Sequence, residues 1–107
     1  MHFLSIKSRI MINRIIWKYS LGSAHVQTID MPRGATILSI QMQHGAPQVW
    51  VYCDPTEPRE PRAFRIEGTG HKITEHPGKF ICTFLDGDFV WHVFETSAHT
   101  QNPKDEP

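Results

Sequence analysis

The sequence lacks most of the features that would announce an activity. It has two cysteines in 107 residues, Cys53 and Cys82, too few for the disulfide framework that staples small secreted domains. Neither opens a Cys-x-x-Cys pair, and His71 and His76 are spaced to share neither a helix face nor a strand face. No run approaches the ~20 apolar residues of a membrane span. Met1 to Ile10 holds no apolar core of the ~7–15 residues that a signal peptide needs, because Lys7 and Arg9 interrupt it. The expectation is a soluble protein of a reducing cytoplasm. An excess of either charge is also missing: 11 Lys and Arg balance 11 Asp and Glu. A neutral chain has no basic face with which to coat a phosphate backbone, so nucleic acid is not expected as a partner.

Catalytic signatures are missing too. There is no nucleophile elbow, no His-Glu-x-x-His helix and no spaced pair of carboxylates held on a helix. An enzyme assembled from distant residues would leave no such mark, but the expectation is a protein without catalysis. No cofactor fingerprint is present, and none is expected. No window of ten or more residues joins a helical period to a capping box.

What the chain has is a period of two. In Thr36 to Gln43, Leu38, Ile40 and Met42 alternate with Ser39, Gln41 and Gln43, the mark of a half-buried strand. His44-Gly45-Ala46-Pro47 supplies a turn, and Gln48 to Cys53 resumes an extended run, so these two segments predict a hairpin. Lys79 to Leu85 and Phe89 to Glu95 flank Asp86-Gly87-Asp88 and predict a second one. A loop at Asp86-Gly87 sets Phe84 opposite Phe89, Cys82 opposite Trp91 and Phe80 opposite Val93, with this set facing inward. A two-residue shift preserves that face, whereas a one-residue shift sends it to solvent. Arg14 to Ser20, Val26 to Asp30 and Arg62 to Glu67 alternate more weakly. Seven strands predict an all-β domain, a compact antiparallel sandwich or partly open barrel, over residues 14–95. Residues 1–13 read as a basic lead-in, with Met11 an alternative start, and 96–107 as a disordered tail. The proline-rich stretch Asp54 to Pro61 reads as an extended loop outside the ladders.

One segment carries chemistry. Gly68-Thr69-Gly70-His71-Lys72 opens a loop longer than ordinary hairpin connections. Its two glycines allow successive amides to converge on an anion, and Thr69, His71 and Lys72 add donors or charge. It is not a P-loop, since the Lys-Ser/Thr spacing is absent and nothing after it is helical. The plainer reading is a glycine-supported turn. Trp50 and Trp91 are candidates for stacking on a base, against the more ordinary role of aromatics in a core or subunit contact. His92, across the sheet from the aromatic set and beside Val90 and Phe94, reads first as a half-buried histidine bonded to a neighbour and is also a candidate ligand residue. With apolar residues on both faces of the last hairpin, a second sheet or another subunit must cover one of them, which favours a homo-oligomer.

Ile16-Trp17-Lys18-Tyr19, Met31-Pro32-Arg33-Gly34-Ala35, Leu38-Ser39-Ile40-Gln41, Asp54-Pro55, Gly68-Thr69-Gly70-His71 and His92-Val93-Phe94-Glu95 together resemble a family of small phage and prophage proteins of uncharacterised function. The likeness spans about residues 14–95, with Gly-Thr-Gly-His and His-Val-Phe-Glu its most specific marks. Tyr52-Cys53 departs from it, standing where relatives tend to be aliphatic. The resemblance implies a phage origin and the host cytoplasm, and it brings no catalytic residue. By analogy, the expected function is a counter-defence accessory that sequesters a nucleotide-derived signal, with a phosphate held at Gly68 to Lys72. The alternative is a protein–protein inhibitor or virion accessory, bound to a host or phage protein through an exposed sheet edge.

Overall fold

The computed structural model describes residues 13–97. Seven strands follow in chain order: β1 (Ile15–Ser20), β2 (Val26–Pro32), β3 (Thr36–Gln43), β4 (Ala46–Cys53), β5 (Arg59–Gly68), β6 (Lys79–Asp86) and β7 (Phe89–Thr96). They build two antiparallel sheets, one of three strands in the order β1-β4-β3 and one of four in the order β2-β5-β7-β6. The sheets do not close into a barrel, and the arrangement is a sandwich. The basic lead-in through Ile12 and the tail from Ala98 lie outside the described residues.

The period of two determines which side chains meet between the sheets. Ile40, Val49, Val51 and Cys53 enter from the smaller sheet, and Met31, Phe64, Phe84 and Val93 from the larger. Trp17, Tyr19, Ile37, Met42, Ile66 and Trp91 close the margins of this core. At one end an ion pair replaces apolar packing: Arg62 donates to Glu95 through Nε and Nη2, the latter at 3.0 Å, and its Nη1 reaches the Ala35 carbonyl at 2.9 Å. The hydrogen bond to Glu95 holds the Arg62 guanidinium above its ordinary range.

Two bulges correct the predicted faces. In β3 the register shifts between Ile37 and Ser39, so Ile37 points to the core and Leu38 to solvent. In β6 it shifts between Phe80 and Cys82. The hairpin is offset by two residues from the predicted pairing, with Phe84 opposite Trp91 and Cys82 opposite Val93, which preserves their inward face as parity demands. Beyond the bulge the parity reverses, and Phe80 sits outside, edge-on to Phe94 at 5.6 Å. The turn is Gly87-Asp88 with only Gly87 at positive φ (62°), the pattern of a type II′ turn. The proline-rich stretch is also partly a strand: Glu60 and Pro61 pair with Met31 and Asp30. Pro61 is tolerated because β5 pairs with β7 only from Ala63 onward, so at Pro61 the strand has a ladder on the β2 side alone. Thr96, assigned to the tail, is the last residue of β7 and pairs with Ala63.

Candidate functional site

At the end of the sandwich opposite Arg62, the β1–β2 connection, the β3–β4 turn, the C-terminal ends of β5 and β6 and the start of β7 come together around Trp91. Two clefts share Ser23, Ile66 and Trp91 as walls. The first, about 380 Å³, is apolar, lined by Leu21, Met42, Pro47, Ile66, Phe84 and Trp91, with Ser23 and Asp86 as its polar members. The second, about 480 Å³, is lined by His25, Glu67, His71 and Lys72 together with the shared wall.

The second cleft is organised by a buried acid. Glu67 alternates outward on β5, yet it is only 4% exposed. The His25 Nε2 lies 2.7 Å from its Oε2, Arg65 Nη1 lies 3.5 Å from the same oxygen, and His71 Nδ1 lies 3.7 Å from Oε1. Burial by itself would raise this carboxyl; the hydrogen bond and charge of His25, followed by those of Arg65, outweigh it and hold Glu67 below the usual carboxylate range. Arg65 also reaches Glu75 through Nη2 at 2.6 Å, drawing the β5–β6 loop across the outer face of the larger sheet. The loop is fastened again at Gly78, whose φ of 110° and approach to the Glu95 carbonyl leave no room for a side chain: an added Cβ would lie 2.3 Å from that oxygen.

Three of the predicted ligand residues meet at this cleft. The His71 and Trp91 rings pack edge to face, 6.2 Å between centroids, against Gly68, where an added Cβ would lie 3.0 Å from the imidazole. Lys72 completes the rim. The loop amides do not form an open cradle. Gly68 N–H donates to His71 Nδ1 at 2.9 Å, Thr69 N–H to the Val90 carbonyl and His71 N–H to the Gly68 carbonyl. Anion recognition here therefore falls to side chains: His71 Nδ1 is an acceptor, which leaves its hydrogen on Nε2, and no ion pair or hydrogen bond engages Lys72 among the described residues. Gly70, at φ 92°, supplies the bend.

Thr69 and His92 are held elsewhere. Thr69 Oγ1 lies 2.8 Å from His92 Nε2, and His92 Nδ1 lies 2.9 Å from Thr83 Oγ1, so both imidazole nitrogens are occupied on the outer face of the larger sheet. Trp50 is on the other sheet altogether, on the outer face of β4, with Lys18 Nζ 6.0 Å from its ring centroid. Sequence reasoning missed His25, Glu67 and Ser23. Alternation along β5 puts Glu67 on the face opposite Phe64 and Ile66, where an acid at a strand end is ordinary, and it is the later loop and the β1–β2 connection that bring His71 and His25 against it.

A family model described as Domain of unknown function (DUF7352) matches residues 12–104. No curated protein and no solved structure matches the chain.

Proposed function

We propose, from the premise that this chain belongs to the DUF7352 domain family, that it binds without turnover a small molecule joining a flat apolar group to an anionic one. Nucleotide-derived signals are the class in view. The observation that carries this reading is Trp91, the shared wall between an apolar cleft and one rimmed by His71 and Lys72. A base fits the first beside the indole, and a phosphate fits the second. In a phage accessory protein in the host cytoplasm, such retention would sequester an immune signal.

Isothermal titration against cyclic nucleotides and ADP-ribose derivatives tests the reading. Binding by at least one, quenching indole fluorescence and abolished in Trp91→Ala and Lys72→Ala, is the expected result. No heat with any of them at tens of micromolar sinks it, and release of a converted product would replace retention with catalysis.

A homo-oligomer belongs to the same proposal. Phe80 and Leu85 are exposed along β6, an edge strand of the larger sheet, and would be covered by a second copy. The same strip favours the second reading, an inhibitor or virion accessory that docks a host or phage protein there. That reading predicts a complex indifferent to His71→Ala and lost on Leu85→Lys.

A further inference from the structure

The outer face of the smaller sheet belongs to neither cleft. Its strands contain no Asp or Glu at all. Trp50 and Tyr52 stand two residues apart on the central strand β4, hence on one face and roughly 6.6 Å apart along it. Arg14 lies over the Tyr52 ring at 5.6 Å and Lys18 over the Trp50 ring at 6.0 Å. Neither cation is in an ion pair among the described residues, and Lys18 Nζ donates a hydrogen bond only to the neutral Gln43 Oε1, at 2.7 Å. The acid next to this face, Asp54, accepts from both the amide and the hydroxyl of Thr56. Tyr52 is 40% exposed and its cross-strand neighbour Ile16 56%. Overall neutrality thus conceals a segregation, because the acids of the sandwich lie in the other sheet and the loops.

A second copy related by two-fold symmetry would fit this face poorly. It would bring Arg14 and Lys18 against their own equivalents with no carboxylate between them. An anionic partner with flat groups at a regular spacing fits well. We infer that the outer face of the β1-β4-β3 sheet binds single-stranded nucleic acid, with bases on Trp50 and Tyr52 and the two cations turned from the rings to backbone phosphates. Duplex is excluded by the same geometry, since its bases are stacked on each other and unavailable to the rings.

The test is fluorescence anisotropy of a labelled oligothymidine with the full-length protein at two or more salt concentrations. The expected result is saturable binding with a log–log salt slope of about −1.4, the value for two phosphates on a single strand. Trp50→Ala or Tyr52→Ala should weaken it about tenfold or more, and Trp50→Phe should retain most of it. Thermal unfolding of each variant confirms that it folds. Three outcomes overturn the inference: no anisotropy change at low salt, equal binding of a duplex of the same sequence, or a Trp50→Ala variant that binds normally while dissociating an oligomer by light scattering.

Discussion

The three strands of the smaller sheet carry no acid, whereas the four of the larger carry Asp30, Glu60, Glu67, Asp86 and Glu95. In the smaller sheet Arg14 and Lys18 rest on aromatic rings, as Arg59 at the start of β5 does on Trp17; farther along the larger sheet Arg62 is committed to Glu95 and Arg65 to Glu67 and Glu75. A charge tied to a buried partner is part of the scaffold and answers to pH and to deletion of that partner. A cation over an exposed ring loses little by moving, and is available to an incoming ligand. The larger sheet is therefore expected to set stability, and the smaller to be tolerant of change on its outer face.

The largest expected effect is at Phe64, fully buried on β5. Phe64→Ala should cost about 3–5 kcal/mol by urea denaturation, most of the stability of a domain this small. Tyr52→Ala on the outer face of the smaller sheet should stay within about 0.5–1 kcal/mol. Similar costs at the two positions would end the distinction drawn between the sheets.

Next in size is Glu67. Glu67→Gln keeps the shape and removes the charge that His25 and Arg65 surround. The expected loss is about 2–3 kcal/mol, below the ~3–5 of a fully buried pair because Arg65 retains Glu75. The pH dependence follows from the depressed carboxyl. Its contribution is complete above the unfolded value, about 4.3, and disappears as pH falls through the lower folded value. Hydrogen exchange at decreasing pH should open β5 and the Thr69–Pro77 loop before β4, which belongs to the acid-free sheet. Glu67→Gln should abolish that order; opening of β4 first would contradict the account.

These expectations also show what could be read from the chain. All seven strands were legible because alternation of apolar and polar residues is a local signal, and Phe64, Phe84 and Val93 stand inward as it requires. The bulges were not. One inserted residue at Leu38 or Ile81 reverses every face beyond it without altering composition, as Phe80 demonstrates at 54% exposed. The Gly68–Lys72 segment was legible as a bend, but its use of amides was not, because His71 folds back onto Gly68 N–H. Trp50 and Trp91 are indistinguishable as letters. Strand order alone separates them, one outside the smaller sheet and one between the two clefts.

The smallest effects sharpen the comparison at the hairpins, one from each sheet. The β3–β4 turn has His44 at φ 56° and Gly45 at φ 80°, both left-handed, as a type I′ turn demands. The β6–β7 turn has only Gly87 there, at φ 62°. A histidine in that region is tolerated at some cost, and asparagine adopts it more readily. His44→Asn should therefore stabilise the protein by a few tenths of a kcal/mol. Gly87→Ala places a Cβ in the same region with open space around it, so only backbone strain opposes it, and the expected loss is about 1 kcal/mol. Thermal unfolding of the two variants should move in opposite directions. A gain from both would mean that the two turns share one backbone geometry, against the φ values that separate the hairpins.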